Sequence, residues 1–248
     1  MNIYLSEVVG TALLVLMGNG VVANVVLAKS KGKDGGWIVI TAGWGMAVML
    51  AAYAVGRIGG AHLNPAVTVA LASIGAFPAS QVPAYILSQI AGGFVGGVLV
   101  FLTYSAHWRE TPDADAKLAC FSTAPGIRRF GPAFITEVIG TAVLVLGILT
   151  LGKVGLGAAS GQEAWAAAVG TWFGPFLVGL LVFALGLSLG GPTGYAINPA
   201  RDLGPRLAHA VLPIAGKRDS DWAYAWIPVV APIVGGLIGA KLFVWLGF

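Results

Sequence analysis

Charge is what this sequence has least of. Asp, Glu, Lys and Arg together make up 10% of its 248 residues, against 57% hydrophobic ones, where a soluble domain carries about 25% charged residues. A chain this poor in charge has no means of covering itself with a hydrated surface. That excludes a cytoplasmic enzyme, a nucleic-acid reader and a disordered chain. Cysteine is as scarce: the single Cys120 excludes an intramolecular disulfide framework and any Cys-rich metal site, and it reads as a small loop residue. The net charge of +4 is scattered, with no basic run resembling a phosphate-binding stripe, so no nucleic-acid partner is expected. Met1-Asn2 lacks a basic start, and a cleaved signal peptide is not expected.

What is present is a set of long uncharged stretches. Residues 8–28, 35–56, 58–108, 138–152, 164–200 and 222–240 contain no Asp, Glu, Lys or Arg. A bilayer core about 30 Å thick takes roughly 20 helical residues, so several stretches fit one crossing each. Two are too long for one, 58–108 and 164–200, and each holds an Asn-Pro-Ala preceded by glycines: Asn64-Pro65-Ala66 and Asn198-Pro199-Ala200. Proline suits the first turn of a helix, where its missing N–H has no partner anyway, and the asparagine before it can cap. Each motif therefore starts a short helix of roughly ten residues, too short to cross. The expected spans are about 4–28, 36–56, 82–104, 132–152, 165–189 and 222–246, with half-helices near 65–73 and 199–209.

The chain also repeats itself. Residues 6–16, SEVVGTALLVL, align with 136–146, TEVIGTAVLVL, so that Glu7, Gly10 and Thr11 match Glu137, Gly140 and Thr141. Each half has three crossings and a half-helix. Three is odd, so the second copy sits upside down relative to the first, and the half-helices meet near the midplane. Bare backbone at that depth is tolerated only where it is buried in protein or lines a wet cavity. The fold class is an all-α membrane protein: six transmembrane helices plus two re-entrant half-helices in an inverted repeat. Residues 1–248 form a single channel domain, with repeats roughly 1–110 and 130–248 joined by an extramembrane loop near 105–130.

GGAHLNPAVTVAL (59–71) and GPTGYAINPARDLGP (191–205) resemble the two Asn-Pro-Ala loops of the aquaporin superfamily. The match continues in the Glu of spans one and four, in SQIAGG of span three and in APIVGG of span six. Asp202 after Arg201, and the small residue Gly186, resemble the glycerol-facilitator (aquaglyceroporin) branch. The resemblance implies a cell-membrane channel that works as a homotetramer, each subunit with its own pore. Its selectivity filter falls on Trp44, Gly186, Tyr195 and Arg201, where Tyr195 departs from the Phe of that branch. The backbone carbonyls of Gly60, Ala61 and His62, and of Gly194, Tyr195 and Ala196, are the implied acceptor ladder.

These assignments give the pore two sides. A polyol that sheds water needs each lost hydrogen bond replaced. Loop carbonyls supply acceptors; Arg201 and the amides of Asn64 and Asn198 supply donors; Trp44 and the Tyr195 ring face the CH backbone. Gly186 leaves empty the volume where water-selective members place an imidazole, which predicts a wider filter. The Tyr195 phenol is expected to face the lumen and to serve a hydroxyl or carbonyl of the solute; the alternative is that it points into the protein and merely packs. The half-helix N-termini, each worth roughly +0.5 charge, and Arg201 together exclude ions and protons.

The remaining polar residues carry alternatives. Glu7 and Glu137 read as a proton relay or, by resemblance, as braces for the two loops. The His62 ring is a packed or lumen-facing bystander, or a titrating gate. Arg57 snorkels to the interface or draws acidic solutes. The glycines 92, 93, 96, 97, 235, 236 and 239 read as helix-packing surfaces, and Trp37, Trp108, Trp222 and Trp226 as an aromatic belt. The resemblance puts both termini in the cytoplasm. That places nine Lys and Arg outside (three in 29–33, four in 105–130, two at 217–218) and three inside (Arg57, Lys153, Lys241), opposite to the positive-inside rule.

The expected function is passive diffusion of small uncharged solutes: glycerol, water and protonated lactic acid. The alternatives are a water-selective pore and, from another class, an ion-coupled secondary transporter, which shares inverted repeats. No nucleophile–base pair and no His/Asp metal cluster sits at the centre, so neither catalysis nor a metal or cofactor is expected.

Overall fold

The computed structural model describes residues 1–153 and 163–247, the side chains of 163–171 excepted. The regular elements among the described residues are all helical: a 3-10 turn at Ala79–Gln81 and the α-helices α1 (Ile3–Val26), α2 (Trp37–Gly59), α3 (Pro65–Ser73), α4 (Val82–Thr103), α5 (Ala114–Ala119), α6 (Phe130–Leu151), α7 (Glu163–Leu189), α8 (Pro199–Val211), α9 (Trp222–Ala225) and α10 (Ile227–Trp245). Six spans among them are long and apolar enough to cross a bilayer. The expected spans and half-helices match these to within a few residues. The short α5 lies in the loop between the repeats, and a break at Trp226 separates α9 from the last long helix.

The half-helices form for the reason read from the sequence. Pro65 and Pro199 take the first helical position, and the side chain of the preceding asparagine caps the end. Asn64 Oδ1 accepts from Ala66 N at 2.9 Å, and Asn198 Oδ1 accepts from Ala200 N at 3.0 Å and Arg201 N at 3.2 Å. At the far ends lysines take over. Lys217 Nζ donates to the carbonyls of His209, Ala210 and Leu212 at 2.6–2.8 Å, and Lys241 Nζ donates to Ser73 O at 3.1 Å. Cations at helix C-termini oppose the negative dipole end.

The glycine pairs of α4 and α10 decide how the halves interlock. A methyl at Gly92 would lie 2.4 Å from Val8 O, and one at Gly93 2.4 Å from Ala200 O. In the other half, one at Gly235 would lie 2.3 Å from Val138 O, and one at Gly236 2.9 Å from Ala66 O. One glycine of each pair thus lets α1 or α6 of its own half approach, and the other admits the half-helix of the opposite half. Side chains there would force the helices apart. Leu14, Val55, Leu63, Leu144, Val182 and Ile197 pack around the central axis, while Leu87, Ile135, Trp172 and Trp245 are exposed on the outside, as apolar residues facing lipid must be.

One expected belt residue is elsewhere. Trp108 is buried, 2% exposed, with its ring on Phe101 and Phe121 and its indole N–H on Phe101 O at 2.9 Å. The loop 105–130 folds inward over its own aromatic core, which takes Trp108 away from the interface. Trp222 and Trp226 are about half exposed.

Candidate pore and its narrowest ring

Both Asn-Pro-Ala loops adopt one unusual backbone. Gly60, Ala61 and Leu63 have positive φ, and so do Gly194, Tyr195 and Ile197. These occupy the same places relative to Asn64 and Asn198. Non-glycine residues in that region cost about 1–3 kcal/mol each and persist only where their surroundings hold them. Two buried carboxylates do the holding. Glu7 accepts from His62 N at 3.0 Å and Leu63 N at 2.8 Å, and Gln89 Nε2 donates to it at 2.7 Å. Glu137 accepts from Ala196 N at 2.9 Å, Ile197 N at 2.7 Å and the Thr193 hydroxyl at 2.7 Å. With their oxygens on loop N–H groups, both carboxylates have the geometry of braces, not of a relay.

The loops also hold each other. Asn64 Nδ2 donates to Ile197 O at 2.9 Å, and Asn198 Nδ2 donates to Leu63 O at 2.8 Å. Each carboxamide keeps a second N–H. Among the described residues nothing donates to the carbonyls of Gly60, Ala61, His62, Gly194, Tyr195 or Ala196. All six residues line the central cavities.

Those cavities are two. One, of about 410 Å³, runs from the paired asparagines past Leu71, Leu151 and Pro175 to the mouth at Gly56 and Gly60. The other, of about 900 Å³, opens between Trp37, Asp34, Asp113 and Arg218. Trp44, Tyr195 and Arg201 line both, so the two meet at the ring expected to be narrowest. There the Arg201 guanidinium lies over the Trp44 ring, 4.1 Å from its centroid, a cation–π contact. Among the described residues Arg201 has no carboxylate partner: adjacent Asp202 accepts from Thr123 N and Oγ1 at 2.8 and 2.7 Å and from Arg206 Nε at 2.8 Å.

Two expectations about this ring are corrected. The space beside Gly186 is not empty: a methyl there would lie 2.8 Å from Tyr195 Cζ and 2.7 Å from Thr41 Cγ2, so the glycine makes room for the Tyr195 ring. The phenol oxygen does not face the lumen either. It is enclosed, without a partner among the described residues, because the ring runs edgewise into the groove between α2 and α7. Trp37, expected only as a belt residue, closes that groove: its indole N–H donates to Gly186 O at 2.9 Å and its ring meets Tyr195 edge-on at 5.9 Å.

His62 lines the first cavity, and its ring is packed on Phe77 and Tyr85, with centroids 4.7 and 5.1 Å away, and its Nδ1 is 3.1 Å from Thr68 Oγ1. Arg57 is exposed in the last turn of α2, without an ion pair among the described residues. Cys120 is buried as a free thiol, and no cluster of three His, Cys, Asp or Glu occurs among the described residues.

Sequence reasoning passed over the frame that carries the second loop. Fully buried Arg206 donates to Ser220 O at 2.7 Å and Thr123 O at 3.0 Å besides Asp202. Arg128 pairs with Asp221 through two bonds of 2.8 and 2.6 Å. The signal was legible: Asp202 and Arg206 stand four apart on a helix inside otherwise apolar sequence.

Comparison with known proteins agrees with this architecture. The family described as Major intrinsic protein (MIP) matches residues 1–243. The "Probable glycerol uptake facilitator protein" of Thermotoga maritima is 60% identical over 246 residues, 99% of this chain and 100% of that one. The "Glycerol uptake facilitator protein" of Bacillus subtilis is 51% identical over 98% of this chain and 84% of its own. Among solved structures, the aquaglyceroporin from Plasmodium falciparum superposes with a TM-score of 0.81 at 29% identity, covering 97% of this chain and 94% of that one. Apolar spans, paired half-helices and a family match over almost the whole length lead to one conclusion: this chain belongs to the major intrinsic protein family, as a multi-pass plasma-membrane channel and not an enzyme.

Proposed function

We propose that the chain is a passive channel for glycerol and similar small polyols, that water passes with them, and that ions and protons are excluded. The observation that carries this reading is the ring where the cavities meet. Among the described residues it sets an arginine without a carboxylate partner, and loop carbonyls that accept no hydrogen bond beyond it, against the aromatic surfaces of Trp44 and Tyr195. A polyol has hydroxyls along one edge and CH groups along the other, and it exchanges its water for this lining with little loss. The relatives named as glycerol uptake facilitators support the same solute.

Charged species meet a different balance. Two half-helix N-termini, each equivalent to roughly +0.5 charge, point at the centre, and Arg201 adds a full charge beside it. A cation is repelled, and an anion finds one guanidinium in place of a full hydration shell. Neutral lactic acid passes without help from the enclosed Tyr195 phenol; the donors left for its carbonyl are Arg201 and the second N–H of Asn64 and Asn198. The lumen lies within one chain, so a homotetramer multiplies pores and does not complete one.

Purified protein in vesicles tests this by light scattering. The proposal expects fast shrinkage in a glycerol gradient followed by fast re-swelling; shrinkage without re-swelling identifies a water-selective pore. Uptake that saturates and follows an ion gradient identifies a coupled transporter.

A further inference from the structure

Asn19 sits on α1, fully buried, and touches both the filter and the loop above it. Its Oδ1 accepts from Arg201 Nη1 at 3.4 Å, a long bond, and its Nδ2 donates to Phe121 O at 3.0 Å. The amide orientation follows from chemistry: a guanidinium only donates and a carbonyl only accepts, so the oxygen must face Arg201. Both nearby carboxylates are committed elsewhere, Asp202 to Thr123 and Arg206 and Glu137 to the second loop. Asn19 is therefore the hydrogen-bond acceptor of the Arg201 guanidinium among the described residues. Its anchor is firm, since Phe121 is wholly buried against Trp108 and His209. The preceding residue seats the ring that the guanidinium lies over: a methyl at Gly18 would lie 2.3 Å from Trp44 Cε3, so the Trp44 ring rests flat on that backbone.

We propose that Asn19 is a positioning residue of the filter, which fixes the Arg201 guanidinium against Trp44 and couples its placement to the loop 105–130. The proposal rests on the reading of Trp44, Gly186, Tyr195 and Arg201 as the filter. Removing the acceptor releases the guanidinium, changes which solutes it can greet, and leaves the loop braces at Glu7 and Glu137 untouched.

The test is the ratio of glycerol to water permeability in vesicles for Asn19→Leu, which fills the same space without an acceptor, and Asn19→Asp, which keeps an acceptor for Arg201 but loses the donor to Phe121. Asn19→Leu is expected to shift the ratio by about threefold, the scale of a weak charge-assisted hydrogen bond, while Asn19→Asp, which still holds the guanidinium but gives up the anchor on Phe121 O, is expected to shift it less. In an Arg201→Val background, Asn19→Leu should add nothing, since the pair acts as one unit. Asn19→Ala reads the same ratio if the leucine variant does not reach the membrane. An unchanged ratio in Asn19→Leu, or equal shifts in Leu and Asp variants, overturns the proposal and leaves the filter reading intact. A ratio that Arg201→Val itself does not move overturns the filter reading.

Discussion

The ring of Tyr195 occupies the space that any side chain at Gly186 would need: a methyl there would lie 2.8 Å from Tyr195 Cζ and 2.9 Å from its hydroxyl. Width at this level is thus shared between two residues, one giving up volume and the other using it. Gly186→Ala should push the Tyr195 ring toward Arg201, with overpacking of about 1–3 kcal/mol. Glycerol flux is expected to fall more than water flux, since the larger solute needs the width that the displaced ring would take. Stopped-flow light scattering reads both; equal losses would show that Gly186 does not set width.

Tyr195→Phe addresses the phenol. Its oxygen is enclosed without a partner, and such a group costs about 1–3 kcal/mol. The variant should be as stable as the parent or more so on thermal unfolding, with the same ratio of lactic acid to glycerol flux. A changed ratio would put the hydroxyl in the lumen after all.

Glu137→Gln exchanges an acceptor for a donor facing a loop N–H. The carboxylate receives Ala196 N, Ile197 N and the Thr193 hydroxyl, and one buried group left unpaired costs about 1–3 kcal/mol. With Tyr195 and Ile197 held at positive φ by this brace, thermal stability and the flux of every solute should fall together. Loss of proton coupling with neutral flux unchanged would point to a relay instead.

The mouth near Arg128 gives a pH prediction. Two hydrogen bonds from Arg128, with its charge, hold the Asp221 carboxyl below its ordinary 3.8. A depressed carboxylate stabilises the fold fully above the unfolded value, and that contribution is lost as pH falls through the folded one. Arg128→Met should therefore lower thermal stability at pH 7, and its deficit should shrink as pH drops below 3.8. A deficit that persists there would mean that the pair adds no pH-linked stability.

How much of this was legible in the sequence depends on range. The half-helices were readable because their cause is local: proline at the first position, asparagine before it, and apolar residues too few to cross. That Glu7 and Glu137 correspond was readable in the repeat, whereas a bracing role was implied only by the family resemblance. Tyr195 and Trp108 were misplaced because a side chain's direction depends on contacts from elements far along the chain, Gly186 for one and Phe121 for the other. Asn19 stood unmarked because an uncharged polar residue in an apolar span shows no partner until α8 and the loop 105–130 fold against it.

The most direct measurement pairs glycerol flux with electrical conductance on the same reconstituted protein. The account predicts rapid glycerol re-swelling of vesicles and a silent current trace in a planar bilayer at neutral pH. Ionic current through the protein, or vesicles that shrink and never re-swell with glycerol, would contradict it.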